Sequence, residues 1–381
     1  MSPKNLDLIV LGTGTAASTV AMRCRSAGWS VAIVDSRPYG GTCVLRGCDP
    51  KKVLVGSAEA LDWVDRLKGK GVRAEARRID WPELMRFKRS FTESVPPQRE
   101  KGFKDAGIDT FHGRARFVGP TRVRVGDTTL NGRYVVIATG AAPVDLRVPG
   151  GDLLTTSEQF LDLDQLPARI LFVGGGYISF ELAHIAARVG ARVAILHRGR
   201  RPLALFDPDL VDLLVARTRG LGIDVRLETE VTAIERAETG FAVHTRRAGR
   251  EERLDTDLVV HGAGRVPEID DLALDDAGVE HDRGGVKVNR YLQSVSNAQV
   301  YAAGDAASSG PPLTPVAGYD GRIVAENLLE GNHRATDYSV VPSVVFTVPP
   351  LAAIGLREAE AREQGLEVVT KYQQTSGWYS A

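Results

Sequence analysis

One sequence pattern occurs twice in this chain and restricts its possible folds more than any other feature. In the first copy, an apolar strand over residues 6–11 leads into a loop whose small residues are Gly12, Gly14 and Ala17. A helix is predicted to follow, and the next strand ends at Asp35. This order of strand, glycine turn and helix is typical of a dinucleotide-binding unit. The loop lets the backbone approach a pyrophosphate, and the terminal carboxylate can accept hydrogen bonds from ribose hydroxyls.

The second copy begins with a predicted strand over residues 170–173. Gly174, Gly176 and Ser179 form its loop, and a helix to about residue 189 and a strand over 193–196 follow. The two copies predict an α/β fold with two Rossmann-like dinucleotide-binding domains.

The second copy carries a basic segment where the first copy has an aspartate. His197 ends the strand, and the next residues include Arg198, Arg200 and Arg201. An acidic residue there would repel a 2′-phosphate, whereas arginines would bind one. The segment therefore predicts NADPH in preference to NADH, with a solvated basic loop as the alternative.

Each unit is predicted to close with an apolar strand and a glycine turn. The first turn contains Thr139 and Gly140, and the second contains Gly264. A later strand, from residue 300, ends at Gly304 and Asp305, at the strand end where ligands of open α/β sheets bind. The alternative role for this aspartate is a helix N-cap. Residues 57–110 are predicted to be largely helical, and residues 111–135 and 223–260 alternate as short strands.

Two cysteines, Cys43 and Cys48, lie shortly after the first unit's helix and second strand, in the segment GGTCVLRGCDPKK. On one ideal helix their Cα atoms would be roughly 8.6 Å apart, whereas a disulfide needs them within about 7 Å. A disulfide would therefore require Cys43 to lie in an irregular loop or a distorted first turn. A helix that begins near Cys48 would lower the pKa of its thiol. Two unrelated buried thiols are the alternative, and no metal site is predicted, because no second Cys/His pair has ligand spacing.

The composition excludes several classes of protein. The 48 basic and 48 acidic residues cancel, so nothing favours nucleic acid or an anionic membrane as a partner. Three cysteines argue against a secreted disulfide scaffold. No apolar stretch approaches membrane-spanning length, and the N-terminal segment is predicted to be a strand and not a signal peptide. A cytoplasmic location is the simplest expectation.

A series of motifs in the chain resembles the class I flavoprotein disulfide reductases, which include glutathione reductase, dihydrolipoamide dehydrogenase and mercuric reductase. The motifs are GTGTAA, GGTCVLRGCDPKK, ATGAAP, GGGYISFE, GAGRVP, YAAGD, LTPVAGYDGR and VVFTVPPLAAIGL. The resemblance implies FAD in the first unit, NAD(P)H in the second and a C-terminal α+β interface domain for homodimerisation. It predicts an FAD domain over 1–146 and 265–335, an NAD(P)H domain over 147–264, and the start of a truncated interface domain over 336–381.

The resemblance also implies roles for individual residues. Cys48 corresponds to the thiol that contacts the flavin and Cys43 to the thiol that attacks the substrate. Lys52 and Glu181 correspond to an ion pair beside the flavin, and Tyr177 to the side chain that covers the nicotinamide pocket. The predicted cofactor-binding residues are Gly12, Gly14, Ala17, Asp35, Gly41, Thr42, Thr139, Gly140, Gly174, Gly176, Tyr177, Glu181, His197, Arg198, Arg200, Arg201, Gly264, Gly304 and Asp305.

The implied function is electron transfer from NADPH through FAD to a Cys43–Cys48 disulfide, and then to a disulfide or another soft electrophile. Two alternatives remain open. One is an NADPH oxidase, quinone reductase or metal-ion reductase in which the thiols are peripheral, and the other is a non-catalytic flavin-binding fragment.

The sequence departs from the family pattern in places. Arg46, Asp49, Lys51 and Glu268 are charged where the family usually is not, and Leu45 stands where the family commonly has Asn. The sequence does not give the sign of the combined effect of Arg46, Asp49 and Lys51 on the pKa values of the thiols. No histidine lies in the family's late His–Glu motif, so no catalytic histidine is predicted. A helix over 357–364, capped by Gly365, and a strand from Leu366 are expected near the C-terminus.

Overall fold

The computed structural model describes residues 4–75 and 77–378, so the outer ends of the first and last predicted domains lie outside the described residues. The first part of the chain forms a sheet with helices around it. Its elements are β1 (Lys4–Leu11), α1 (Thr15–Ser26), β2 (Val31–Asp35), α2 (Gly41–Arg46), α3 (Cys48–Arg66), α4 (Trp81–Thr92), α5 (Val95–Asp105), β3 (Asp109–His112), β4 (Ala115–Phe117), β5 (Arg122–Val125), β6 (Thr128–Ile137) and β7 (Ala141–Pro143).

The first sheet has the strand order β3-β2-β1-β6-β5-β4. Strands β3, β2, β1 and β6 are parallel, and β5 and β4 continue the sheet in antiparallel pairing. The C-terminal half of β1, residues 8–11, is fully buried because the sheet is covered on both faces, which explains its continuous run of apolar residues. The predicted first unit is therefore confirmed.

The helical prediction for residues 57–110 is correct in part. The end of α3, α4 and α5 are helical, but residues 67–75 and 77–80 are not. Two glycines, Gly69 and Gly71, end the helical pattern, since glycine is costly in a helix interior. Helix α4 then begins again after Asp80, whose side chain accepts a hydrogen bond from the Glu83 backbone N–H at 3.0 Å.

The second part of the chain repeats the architecture of the first. Its elements are α6 (Ser157–Phe160), β8 (Arg169–Val173), α7 (Tyr177–Val189), β9 (Arg192–Leu196), α8 (Pro208–Gly220), β10 (Asp224–Arg226), β11 (Thr229–Arg236), β12 (Phe241–Arg247), β13 (Arg250–Thr256), β14 (Leu258–His261) and β15 (Arg265–Pro267). Strands β10-β9-β8-β14 form a parallel sheet, and β11-β12-β13 form an antiparallel one. The second Rossmann-like unit is also confirmed.

Of the remaining elements, one strand joins the first sheet and the last two strands form a separate sheet. These elements are β16 (His281–Asp282), β17 (Gly285–Val286), β18 (Val300–Ala302), α9 (Thr314–Glu330), β19 (Ser343–Val345), β20 (Leu351–Ala353) and α10 (Glu358–Glu363). Strand β18 pairs in parallel with β6, and α9 packs against α1. Helix α10 agrees with the predicted helix over 357–364. The strand predicted from Leu366 is wrong, because a strand needs a hydrogen-bonded neighbour and no described strand pairs with residues 366–375.

One hydrophobic core joins the two units. Leu54 and Ala58 of α3 and Met85 of α4 pack in the same cluster as Phe180 and Ala183 of α7. Helix α3 therefore lies directly against α7. This packing brings the N-terminal end of α3, where Cys48 lies, next to the first turns of α7.

Candidate active site

Three loops converge at the carboxyl end of β1. A Cβ atom on Gly12 would overlap the carbonyl oxygen of Ala138, and a Cβ atom on Gly41 would come within 2.5 Å of the Gly14 Cα. Both glycines have positive φ angles, +106° and +74°, which other residues rarely adopt. Only backbone atoms of the loops therefore meet around Gly12, Gly14 and Gly41, and a backbone surface of this kind could hold a phosphate group.

Polar groups surround this glycine-lined surface. The Thr13 hydroxyl donates a 2.5 Å hydrogen bond to Asp35, which also accepts one from the Arg37 backbone N–H at 2.9 Å. The Thr139 hydroxyl oxygen is buried and has no hydrogen-bond partner among the described residues. On the other side of β6, Asp305 follows β18, and burial raises the pKa of its carboxyl. The predicted contacts of the first unit thus lie around one cleft, where they could hold a dinucleotide.

The two cysteines lie at a break between two helices. Cys43 is in the first turn of the short α2, Gly47 interrupts the helix, and α3 begins at Cys48. Both thiols are free and half-buried, and they hydrogen-bond to each other. The break allows the two thiols to meet where one continuous helix would keep them apart, and their proximity is consistent with a redox-active pair.

The two thiols have opposite acidities. The hydrogen bond from Cys43 is the largest of several effects that together lower the pKa of Cys48 to about 6; Thr314, Lys51 and Lys52 also lower it, and burial opposes them. The same hydrogen bond, together with burial and the charge of Asp49, raises the pKa of Cys43. In the reduced pair, Cys48 is therefore the thiolate near neutral pH and Cys43 keeps its proton. The contacts thus give the direction of each thiol pKa shift, which the charged residues in the sequence did not.

The buried ion pair at the site is formed by Lys51 and not by Lys52. Lys51 Nζ lies 2.9 Å from Glu181 Oε1, and both side chains are almost fully buried. The prediction that Lys52 pairs with Glu181 is wrong because of helical phase. Lys51 lies on the buried face of α3 with Leu54, Val55, Ala58 and Asp62, whereas Lys52 is exposed. The spacing of those buried positions in the sequence was the signal that distinguishes the two lysines.

Two residues that the sequence interpretation did not assign also reach the site. The Thr314 hydroxyl, at the start of α9, lies 3.6 Å from Cys48 Sγ. The Phe346 backbone N–H donates a 2.7 Å hydrogen bond to Glu181 Oε1, and its ring centroid is 4.2 Å from Lys51 Nζ. Both residues lie in motifs that carry the family resemblance, LTPVAGYDGR and VVFTVPPLAAIGL, which was the available signal for them.

Comparison with known proteins agrees with this geometry. The family model for pyridine nucleotide-disulphide oxidoreductases matches residues 6–321. The chain belongs to this family. Its members include flavoprotein disulfide reductases, which use FAD and NAD(P)H.

Individual relatives cover most of the chain. A glutathione reductase from Burkholderia cepacia is 34% identical over 96% of this chain and 80% of its own length. A mercuric reductase from Lysinibacillus sphaericus is 31% identical over 96% of this chain and 67% of its own length. The solved copper(II) complex of RclA, an HOCl-induced flavoprotein disulfide reductase from Escherichia coli, has a TM-score of 0.84 and 30% identity over 95% of this chain and 80% of that chain.

The second nucleotide loop of this oxidoreductase faces the same cleft as the thiols. Gly174 and Gly176 lie between β8 and α7, and Gly264 follows β14. Tyr177 begins α7 with 47% of its surface exposed, and its hydroxyl is within electrostatic range of Cys48 and Asp305. Tyr177 is thus placed near the thiol site, and the nicotinamide-binding role of the other predicted residues stays a prediction.

The predicted basic segment is partly neutralised by neighbouring acids. Arg200 pairs with Glu228 at 3.1 Å and Arg201 with Asp212 at 3.5 Å. The His197 ring hydrogen-bonds to the Arg201 carbonyl oxygen at 3.0 Å, and burial lowers the pKa of the imidazole. Arg198 is exposed and lines an open groove of about 700 Å³.

Two of the charged residues that depart from the family pattern, Arg46 and Glu268, belong to one network of ion pairs. Glu158 of α6 lies 3.5 Å from Arg46, 3.6 Å from Arg37 and 3.8 Å from Arg265. Glu268 pairs with Arg37 at 2.8 Å. Arg46, three residues after Cys43, therefore directs its charge at Glu158 and not at the thiols.

The described residues place no histidine against the thiols. The most buried one, His184, lies in α7, and burial lowers its pKa to about 3, so it is neutral near pH 7. Within residues 4–75 and 77–378, no group of three His, Cys, Asp or Glu side chains is arranged to hold a metal ion. The same residues contain no helix of the length and apolarity needed to cross a bilayer.

Proposed function

We propose that this oxidoreductase uses NADPH to reduce a Cys43–Cys48 disulfide through FAD, and that the reduced pair then reduces a small-molecule disulfide or another soft electrophile. The observation that carries the proposal is the hydrogen-bonded thiol pair with opposite acidities at the start of α3, next to the converging glycine loops. Homodimerisation and a cytoplasmic location stay predictions.

The first cleft is the proposed FAD site. The backbone at Gly12, Gly14, Gly41 and Thr42 would face the pyrophosphate, and Ala17 keeps α1 close to the sheet. The buried, unpartnered Thr139 hydroxyl beside Gly140 and the buried carboxyl of Asp305 after Gly304 supply polar groups that fit the cofactor. Bound FAD would supply hydride acceptance from NADPH and reduction of the disulfide.

The thiol chemistry is a disulfide exchange. Cys43 transfers its proton to the Cys48 thiolate through their hydrogen bond and attacks a sulfur of the substrate disulfide. The substrate S–S bond breaks, and the thiolate that leaves takes the proton from Cys48, which is a thiolate again. The Cys48 thiolate then attacks the Cys43 sulfur of the mixed disulfide. This step releases the second substrate thiolate, which takes a proton from water, and restores the Cys43–Cys48 disulfide. One NADPH and one proton are consumed for each substrate disulfide that becomes two thiols.

The preference for NADPH rests on Arg198, Arg200 and Arg201 after β9. Two of these arginines are paired with acids, and Arg198 makes no ion pair among the described residues. A 2′-phosphate would find that exposed guanidinium beside the open groove. His197, neutral because its pKa is lowered, would add a hydrogen bond but no charge.

Replacement of the attacking thiol tests the proposed function. We expect Cys43→Ser to lower the turnover of disulfide substrates by at least about a hundredfold while flavin reduction by NADPH continues. Steady-state assays with NADPH and NADH, and anaerobic reduction followed by the visible spectrum, measure the two steps separately. Cys24→Ala, at a buried cysteine away from the cleft, is the matched control. Undiminished disulfide turnover in Cys43→Ser would refute the proposal.

A soft metal ion is a second candidate acceptor, because the relatives include mercuric reductases and the similar RclA structures are copper(II) complexes. The same assay with mercuric or copper(II) ions in place of the disulfide decides between the acceptors. Quinone turnover that persists in Cys43→Ser would instead favour an enzyme whose thiols are peripheral.

A further inference from the structure

We propose that Phe346 is a positioning residue of the thiol site: its ring and its backbone N–H hold the Lys51–Glu181 ion pair in place beside Cys48. The inference deepens the proposed function, because it rests on Cys48 being the redox thiol next to that pair. It concerns a residue of the segment between β19 and β20 that contacts the pair without being part of it.

Phe346 contacts both members of the ion pair. Its backbone N–H donates to Glu181 Oε1 at 2.7 Å, and the same oxygen lies 2.9 Å from Lys51 Nζ. The Phe346 ring centroid is 4.2 Å from the same Nζ. The ammonium group is thus held between a carboxylate and an aromatic ring, and the carboxylate is held by two donors.

Burial makes these additional contacts necessary. Lys51 is 8% exposed and Glu181 is 3% exposed, so both charges have lost most of their water. A buried ion pair is favourable only when its geometry is good and its remaining hydrogen-bonding positions are filled. Phe346 fills one such position on Glu181 and offers the ammonium a cation–π contact.

The segment that carries Phe346 is itself fixed by the next turns of α7. His184 Nδ1 accepts a 3.2 Å hydrogen bond from the Val348 N–H, and Arg188 donates a 3.1 Å bond to the Val348 carbonyl oxygen. Glu181, His184 and Arg188 lie on one face of α7, at helical spacing i, i+3 and i+7. One helix face therefore holds the ion pair and the segment that supports it.

The hydrogen bonds of His184 define a single tautomer. Because Nδ1 accepts from Val348, Nε2 carries the proton and donates to the Thr218 hydroxyl at 2.9 Å. That hydroxyl donates in turn to the Leu214 carbonyl oxygen at 2.7 Å. Burial lowers the pKa of His184 to about 3, so the arrangement does not change across neutral pH.

The groups around Cys48 determine how the position of the Lys51–Glu181 ion pair affects the thiolate. Lys51 and Lys52 face the thiol from its own helix, Cys43 from α2, Thr314 from α9, and Tyr177 and Glu181 from α7. Lys51 favours the thiolate, whereas the negative charge of Glu181 opposes it. Without the Phe346 ring, the Lys51 ammonium would be freer to turn toward water. The Cys48 thiolate would then lose part of its electrostatic stabilisation.

The experiment measures the acidity of Cys48 directly. Reduced, FAD-loaded protein is alkylated with iodoacetamide across a pH series, and mass spectrometry follows the modification of Cys48 separately from that of Cys43. We expect Phe346→Leu to raise the alkylation midpoint by about half a pH unit or more. Phe346→Tyr, which keeps the ring, should retain the wild-type midpoint. An unchanged midpoint in Phe346→Leu would overturn the proposal.

A double-mutant cycle tests whether the ring acts through Lys51. In a Lys51→Met background, Phe346→Leu should add a smaller shift than in the wild-type background, because only the longer 4.9 Å contact of the ring with Lys52 Nζ remains. A shift as large as in the wild-type background would overturn the proposal. If Phe346→Leu does not fold, Phe346→Met is titrated in its place, since it keeps the volume without the ring. The titration needs neither NADPH nor a disulfide substrate, so failure of the proposed function would appear only in the Cys43→Ser turnover assay.

Discussion

At the scale of single residues, the chemistry of the site depends on one asymmetric hydrogen bond. Cys43 donates to Cys48, and this bond separates the pKa values of two thiols that the sequence presents as equivalent. The effect of the neighbouring side chains could not be evaluated from the sequence, because the charge of Arg46 pairs with Glu158 and the Thr314 hydroxyl comes from a distant segment. The direction of each shift follows from contacts and not from composition.

The lowered pKa of Cys48 predicts a pH dependence of stability for the reduced protein. The folded value is about 6 and the ordinary value is 9.0, so the unfolded chain binds more protons between these pH values. The stabilisation by the thiolate is fully present above about pH 9 and is lost as the pH falls toward 6. Cys43, whose pKa is raised, acts in the opposite sense only above its ordinary value.

We therefore expect the thermal midpoint of the reduced wild type, relative to reduced Cys48→Ser, to rise as the pH increases from about 6 to 9. Calorimetry of both proteins at several pH values measures this difference. A difference that stays constant over this range would show that the thiolate is not stabilised in the folded protein.

At the scale of elements, the phase of α3 decides which lysine takes part in the site. Consecutive helical residues point about 100° apart, so only one of two adjacent lysines can face α7. The sequence motif alone led to Lys52, whereas the buried positions of α3 select Lys51. Element identity was predicted well here, but the direction of one side chain was not.

The two lysines provide a matched pair of variants. We expect Lys51→Met to lower the free energy of unfolding by about 3 kcal/mol, because it leaves the buried Glu181 carboxylate without its partner. Lys52→Met should cost less than about 1 kcal/mol, since Lys52 is exposed and has only a long contact to the Phe346 ring. Urea unfolding of both variants gives the comparison, and equal losses would contradict the assignment.

At the scale of the whole molecule, the two nucleotide units are joined by charge as well as by a common core. Asp62 of α3 is buried and accepts hydrogen bonds from Arg188 of α7 at 2.7 Å and from Arg217 of α8 at 2.9 Å. The thiol helix is thereby tied to two helices of the second unit. The relative position of Cys48 and Glu181 depends on this connection.

Removal of the Asp62 carboxylate should weaken the contact of α3 with α7 and α8. We expect Asp62→Ala to lower the free energy of unfolding by about 3 kcal/mol or more, because the largely buried Arg188 would lose its counter-ion. Asp65→Ala, one turn later on α3, removes an exposed pair with Arg77 and should cost less than about 1 kcal/mol. Chemical denaturation followed by circular dichroism compares the two, and a similar small loss in both would refute the structural role of Asp62.

Local patterns in the sequence determined the architecture of this protein. Apolar strands, glycine turns and helices follow one another within a few residues, so both Rossmann-like units and the position of the thiols could be predicted. The tertiary structure alone decided the partners at the site. Cys48 and Thr314 are 266 residues apart, and Glu181 and Phe346 are 165 apart. Such contacts depend on how helices pack and on the phase of each helix, and a one-residue difference in phase exchanges a buried lysine for an exposed one.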